Sequence, residues 1–357
     1  MKRCRHCLLP SAVPGSDIDA AGLCLPCRSH QAHDEAALER ARLASLADLD
    51  ATLEGCRRGA EYDAVVCLSG GKDSLYLLHR LKVVHRLNIL AFTVDANLPD
   101  VAWRNIRRTV ERLAVDHLVY RPPPDFYRKL FAYLLRHQEP RGAVYTVSYV
   151  YAPLFEGDAL SVATQRGIPL VFAGYSPGQP DRHRMVYEFP RPFIENVDWT
   201  PPGLRDCGRF SDAEIARFWN PARFAVGTRF PRYIAPFHAW EYDQNEVMNA
   251  TVELGLVERR RHASPVLSNY PVNWLLMYSD LRNLGYNPYA PEFSALIRNR
   301  KASLSYWKAM APLVDWMIRS RMLLGRNVTR QLAWLELDED DLKIDQPLGA
   351  YDPPQAN

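Results

Sequence analysis

The chain has 357 residues, 47% of them hydrophobic and 24% charged, and its 44 Lys+Arg against 41 Asp+Glu leave a formal net charge of +3. That is the composition of a globular protein of about two domains and excludes a disordered chain. The small net charge excludes a large basic field of the kind that drives generic nucleic-acid binding. No apolar run reaches the roughly 20 residues of a membrane span, and the opening MKRCRHC lacks the apolar core of a signal peptide. The expected compartment is the cytoplasm, with no membrane partner.

Seven cysteines, an odd number, without an export signal speak against a disulfide framework. Cys4, Cys7, Cys24 and Cys27 form C-x2-C-x16-C-x2-C, the spacing of a four-thiolate metal site. Each pair bends the chain so that two sulfurs point at one ion, and the two pairs close a tetrahedron with no open position. The expectation is a structural Zn²⁺ in a head over 1–32, with an iron–sulfur cluster as the minority alternative.

A helix is expected over about 33–58, with Leu38, Leu43, Leu46 and Leu49 at largely helical spacing. The apolar run 64–68 reads as a buried strand, followed by a Gly-rich turn and a helix carrying Leu77, Leu78, Leu81 and Val84 on one face. Further strands are expected at 88–94, 117–120 and 168–173, with helices at about 101–114, 126–137 and 153–166 between them. Alternating strands and helices predict a parallel sheet covered on both faces. Residues 175–232 read as loop and 233–240 as one more strand. Asp243 and Glu246 form a capping box for a helix over about 244–254. The pattern from 271 to about 325 is helical, and the acidic stretch 336–345 and the tail are expected to lie on the surface or fray. The expected divisions are a head over 1–32, a connecting helix over 33–60, a nucleotide domain over 61–240, a helical region over 241–335 and a tail over 336–357.

Between the first strand and its helix stands Ser69-Gly70-Gly71-Lys72-Asp73-Ser74. Two glycines let backbone turn sharply and approach an anion. Helix N-terminal amides then face that anion, helped by the dipole. Lys72 adds a charge, Ser69 and Ser74 add hydroxyls, and Asp73 suits Mg²⁺. This is not a Walker A loop, which requires Gly at 66 and Ser/Thr at 73 where the chain has Val66 and Asp73. It is not the G-x-G-x-x-G of dinucleotide binding either.

SGGKDS resembles the signature of the PP-loop ATP pyrophosphatases. That resemblance implies an adenine nucleotide α-hydrolase-like fold, a parallel sheet related to the Rossmann type. It implies cleavage of ATP between its α and β phosphates and adenylation of a substrate carbonyl oxygen. Pyrophosphate is released, and a nitrogen or sulfur nucleophile then displaces AMP. By the same resemblance Ser69, Gly70, Gly71, Lys72, Asp73 and Ser74 hold the leaving pyrophosphate. Thr93, Val94, Asp95 and Asn97 line the adenosine pocket at the end of the second strand, and Gly174 lies against the nucleotide. Lys72 and Asp73 are the expected catalytic residues.

The head, CRHCLLPSAVPGSDIDAAGLCLPC, resembles the opening of the N-acetyl sugar amidotransferases, PP-loop enzymes that convert an acetamido group to an acetamidino group. The stretch His238-Ala239-Trp240-Glu241-Tyr242-Asp243 and the segment Ser294-Ala295-Leu296-Ile297-Arg298 are similar to segments of that family. Residues 175–232 match it poorly. The implied substrate is a small carbonyl compound. No glutaminase nucleophile turn is evident in the chain, so a separate glutaminase is the expected ammonia source. Oligomerisation is left open, and nucleic acid is not the favoured partner.

Sulfur insertion into a nucleobase, tRNA or small metabolite is the alternative, with a sulfur donor protein as partner. It directs attention to Cys56, Cys67 and above all Cys207, which has Arg205 and Arg209 beside it in sequence. Asp181, Arg182, His183, Arg184, His238 and Arg298 are the remaining candidates for substrate or phosphate contacts. A solvated loop, a structural histidine and a surface ion pair are the plain alternatives for these residues.

Overall fold

The structure, a computed structural model, describes residues 2–29, 32–56, 61–177 and 187–352. Its centre is a parallel sheet of β1 (Ala64–Cys67), β2 (Ile89–Val94), β3 (Asp116–Tyr120), β4 (Leu170–Phe172) and β5 (Arg232–Ile234). The strand order is β3-β2-β1-β4-β5. The described helices are α1 (Leu25–Arg28), α2 (Ala32–Gly55), α3 (Lys72–His79), α4 (Asp100–Leu113), α5 (Pro124–Arg136), α6 (Ala143–Gln165), α7 (Arg191–Asn196), α8 (Pro202–Asp206) and α9 (Asp212–Ile215). They continue with α10 (Gln244–Glu253), α11 (Pro265–Ser268), α12 (Val272–Asn283), α13 (Ala290–Arg298), α14 (Leu304–Ser320) and α15 (Arg326–Leu335).

The fold is α/β, with a helical C-terminal region and an N-terminal four-cysteine cluster. Strand alternation sorts side chains to opposite faces. Ala64, Val66 and Ala91 pack with Leu75 and Leu78 of α3 and Ile106 of α4. Val65, Leu90, Phe92 and Val171 pack with Ala159, Leu160 and Ala163 of α6. Burial on both faces explains why the central strands are unbroken apolar runs. β1 is followed by β2 on one side and adjoined by β4 on the other, so the chain reverses its winding between β1 and β4. In open parallel sheets that reversal leaves a ligand crevice beyond the carboxyl ends of the strands. A third core joins α5 and α6 to α12, α14 and α15 through Leu130, Leu134, Val147, Leu275, Ile318 and Leu332. The cysteine head packs against Ile297 of α13 and Trp307 of α14.

Several local expectations are corrected. α6 begins at Ala143, ten residues before the expected 153, and carries Pro153 inside it. Its first amides, of Ala143 and Val144, both donate to the Asp280 carboxylate of α12, a cap supplied from far along the chain. The final strand stops at Ile234 and gives way to a 3₁₀ turn at Pro236–His238, because Pro236 has no N–H for a ladder. In α2 Leu49 is buried, but Leu38 and Leu43 are exposed. Val84 is exposed in a π turn, Arg80–Val84, that extends α3. The stretch read as loop holds α7, α8 and α9, each too short to show a period; Ser211 and Glu214 form a capping box at α9. Asp243 does accept from the Asn245 and Glu246 amides at the start of α10. Residues 336–352 do not fray: Leu342 and Tyr351 are buried, and the last five residues of the tail lie outside the described residues. The Gln138 amide donates to the Lys343 carbonyl at 2.9 Å, and the Tyr351 amide donates to the Glu139 carboxylate at 3.1 Å. No helix among the described residues is long and apolar enough to cross a membrane.

Candidate active site

The loop after β1 turns into α3 with Gly71 as N-cap and Lys72 as the first helical residue. Amides of the first turn have no intrahelical acceptor and lie at the positive end of the helix dipole. Two glycines set the shape. Gly70 has φ +76°, and a Cβ there would stand 2.6 Å from the Ala102 carbonyl oxygen of α4. A Cβ on Gly174, just past β4, would stand 2.8 Å from the Ser74 amide nitrogen. The loop is thus pressed between α4 and the end of β4, at the winding reversal.

Side chains brace the turn. Ser74 Oγ donates to the Gly71 carbonyl at 3.0 Å and accepts from the Ser69 amide at 3.2 Å; the Gly71 amide donates to Ser69 Oγ at 3.4 Å. Asn105, which is buried, donates through Nδ2 to the Gly70 carbonyl at 3.0 Å and the His262 carbonyl at 2.9 Å.

Lys72 is only 6% exposed. Its ammonium donates to Asp73 Oδ2 at 2.5 Å and to the Tyr242 hydroxyl at 3.0 Å, while that hydroxyl donates to Asp73 Oδ1 at 2.8 Å. Burial pushes the ammonium toward neutrality, but the Asp73 carboxylate and Tyr242 outweigh it and hold Lys72 above the ordinary lysine value. Burial beside Asp73 raises the Tyr242 phenol. A protonated lysine beside first-turn amides that lack intrahelical acceptors is the arrangement that favours an anion at a helix N-terminus.

At the end of β2, Thr93 Oγ1 donates to the Leu68 carbonyl at 3.0 Å and meets His117 Nε2 at 2.9 Å. The Val94 carbonyl accepts from the Tyr270 hydroxyl at 3.3 Å. Asp95 pairs with both Arg121 Nε at 2.7 Å and Arg121 Nη2 at 2.6 Å, and Asn97 follows with φ +70°. Thr93 and Asp95 therefore hold the strand end with the side chains that were expected to face a nucleoside.

The other candidates disperse. Arg298 donates to Cys7 Sγ at 3.5 Å, so it serves the cysteine head and not a phosphate or a surface ion pair. His238 sits in the 3₁₀ turn; burial and the Lys301 charge push its imidazole down to about 4, leaving it neutral near pH 7. Asp181, Arg182, His183 and Arg184 lie outside the described residues. Cys207 donates to the Leu204 carbonyl at 3.2 Å and neighbours Tyr133 and Tyr351, none of which touches the loop. Cys67 meets the Tyr233 hydroxyl at 3.8 Å, and burial pushes its thiol up to about 12. Cys56 is buried at the end of α2 and donates to the Leu53 carbonyl at 3.2 Å.

In the head, the sulfurs of Cys4, Cys7, Cys24 and Cys27 all lie within 4.8 Å of one another, with Cys4–Cys27 at 3.8 Å and Cys7–Cys24 at 3.5 Å. Metal–sulfur bonds of about 2.3 Å in a tetrahedron place sulfurs roughly 3.8 Å apart, so the set fits one four-coordinate ion. The Cys24 amide, 3.4 Å from Cys4 Sγ, and the Arg298 guanidinium are donors that offset thiolate charge.

Sequence reasoning quoted Tyr242 only inside a similar stretch and passed over Asn105. Nothing in their local sequence marks them, because both act across distances of 35 or more residues.

Fold and site together define an α/β chain with a glycine-rich strand-to-helix loop at the winding reversal of its parallel sheet. No family model matches the chain, and no curated protein matches it. Solved structures do align with it. A U34-tRNA thiolase from Methanococcus maripaludis with its 4Fe–4S cluster is 14% identical over 98% of this chain and 93% of that one, with a TM-score of 0.36. An NMN synthetase from Francisella tularensis is 12% identical over 87% and 97%, with a TM-score of 0.35. An NH3-dependent NAD synthetase from Campylobacter jejuni is 12% identical over 85% and 98%, with a TM-score of 0.34.

Proposed function

We propose that this chain is an ATP pyrophosphatase of the PP-loop kind that adenylates a carbonyl or amide oxygen and then transfers nitrogen. The observation that carries the reading is the SGGKDS loop itself, wedged by Gly70 and Gly174 at the winding reversal with a buried, protonated Lys72 as the first residue of α3. An amide oxygen is a poor leaving group. Its attack on the α-phosphorus of ATP breaks the bond to the bridging oxygen and releases pyrophosphate. Ammonia then adds at the carbon, the carbon–oxygen bond breaks, and AMP leaves with the oxygen. The protein's part is positioning and charge neutralisation. Loop amides and Lys72 stabilise the pyrophosphate leaving group, and Ser69 and Ser74 keep the turn in shape.

Asp73 with the loop hydroxyls offers the oxygen donors Mg²⁺ prefers, and the ion would supply charge neutralisation on the phosphates. The four-cysteine head would hold one Zn²⁺ as a closed structural site. The resemblance to N-acetyl sugar amidotransferases makes an acetamido sugar the preferred acceptor and a separate glutaminase the ammonia source.

The test is a product assay with ATP and N-acetylated sugar nucleotides, nucleobases and tRNA, supplied with ammonia or sulfide. A product lighter by about one mass unit, with AMP and pyrophosphate in equal amounts, establishes amidination. A product heavier by about sixteen establishes thiolation and makes Cys207 the first residue to replace. No pyrophosphate with any acceptor overturns the proposal.

A further inference from the structure

Tyr242 lies 170 residues from Lys72 in the chain, yet its hydroxyl completes a closed ring of three hydrogen bonds. Lys72 Nζ donates to Asp73 Oδ2 at 2.5 Å and to Tyr242 Oη at 3.0 Å, and Tyr242 Oη donates to Asp73 Oδ1 at 2.8 Å. Each member uses its capacity without conflict: the ammonium only donates, the carboxylate only accepts, and the phenol does one of each. The ring is shielded, with Tyr242 and Lys72 each 6% exposed.

Adjacent residues on a helix do not face each other. Lys72 and Asp73 therefore meet only by bending their side chains back over the helix start, and a third group that bonds both makes that arrangement definite. Tyr242 is itself placed firmly. Its ring meets Phe237 edge-on at 5.4 Å, and the next residue, Asp243, caps α10 by accepting from the Asn245 and Glu246 amides at 2.7 and 3.0 Å. The cap fixes the backbone and the Phe237 contact fixes the ring, so the hydroxyl has little freedom.

We propose that Tyr242 is a positioning residue: its hydroxyl sets the place and direction from which Lys72 meets a phosphate group and holds the Asp73 carboxylate beside it. This rests on the phosphate-loop reading given above. When a polyphosphate enters, its oxygens replace Asp73 as the acceptor for Lys72, and Tyr242 keeps one bond to the ammonium throughout. A lysine so held need not be ordered anew on binding, which spares the entropy of fixing a long side chain. The titratable groups facing Lys72 are Asp73 and Tyr242; Ser176 is a further partner of Tyr242.

The experiment pairs Tyr242→Phe, which keeps the ring and its contact with Phe237, with two readings on the full chain. The first is calorimetric binding of inorganic pyrophosphate with Mg²⁺ from pH 7 to 10.5. The variant is expected to bind about tenfold more weakly at neutral pH, the usual scale for losing a hydrogen bond to a charged group. The second reading is the Lys72 titration by NMR with labelled lysine in the ligand-free chain, assigned with Lys72→Arg. Tyr242→Phe should move that titration to lower pH with no ligand present. A variant that matches the parent in both readings overturns the role of Tyr242. If the parent shows the Lys72 shift but binds neither pyrophosphate nor ATP, the ring stands and the phosphate reading falls, taking the positioning role with it.

Discussion

The Asn105 side chain is tied to the Gly70 carbonyl at 3.0 Å and, through the same nitrogen, to the His262 carbonyl at 2.9 Å. One buried amide thus joins the SGGKDS loop to α4 and to a segment 157 residues further on. Replacing it with leucine leaves two buried carbonyls without that donor. Asn105→Leu is expected to cost about 2–4 kcal/mol in urea denaturation, since each unsatisfied buried group costs roughly 1–3 kcal/mol. It should also weaken ATP binding. An unchanged ATP affinity would show that the tie does not shape the loop.

Gly70 and Gly174 make a steric prediction. Alanine at 70 adds a methyl 2.6 Å from the Ala102 carbonyl oxygen on a backbone with φ +76°; alanine at 174 adds one 2.8 Å from the Ser74 nitrogen. Real contacts at those distances are not tolerated, so the loop or α4 must shift. Both variants are expected to lose pyrophosphate binding by a factor of about 100 or more, which needs only about 2.7 kcal/mol of lost complementarity. Gly15, whose added methyl meets nothing within 4 Å, serves as the control for a positive-φ glycine far from the loop.

The cysteine head should carry one metal ion per chain by elemental analysis. Cys24→Ser or a strong chelator is expected to remove it and to loosen the packing of the head on Ile297 and Trp307, read as a change in tryptophan emission. Arg298→Met should keep the ion but weaken its hold, since donors that hydrogen-bond a metal ligand are typically worth about 10- to 100-fold in metal affinity. Arg298→Met that binds metal like the parent would reduce its contact with Cys7 to packing.

Stability should depend on pH through Asp158. Burial raises its carboxyl to about 7, against a smaller lowering by Arg217. A carboxyl raised in the folded state keeps its proton there while the unfolded chain has lost it. The stability it contributes is complete below about pH 4 and is lost as pH rises through about 7. Asp158→Asn cannot ionise. The stability of this variant relative to the parent should climb by about 2–4 kcal/mol between pH 4 and 8 and then level off. A constant difference across that range would refute the account. Asp280 is raised to about 7 for the same reason, but it also caps α6, so Asp280→Asn should destabilise by about 1–3 kcal/mol near pH 4, a penalty that shrinks as pH rises toward 7.

Much was legible in the order of residues alone. Apolar runs of four to six residues between helical periods identify β1, β2 and β4, since a parallel strand is buried on both faces and has no polar side to alternate. SGGKDS announces its turn because glycine is required by local geometry, and the four cysteines announce their centre because metal ligation constrains spacing. These are short-range demands, met within a few residues, so they leave a mark in the sequence. Tertiary structure decided the rest. It brought Tyr242 onto Lys72, Asn105 under Gly70, Arg298 onto Cys7 and Asp280 to the start of α6. It also placed Cys207 against the Leu204 carbonyl and His238 in a 3₁₀ turn, partners that the sequence did not indicate. A tyrosine, an asparagine or an arginine carries the same local pattern whether it faces solvent or a buried ammonium. Its partner is chosen only when the sheet closes and the helices pack, and burial then makes the hydrogen bond obligatory.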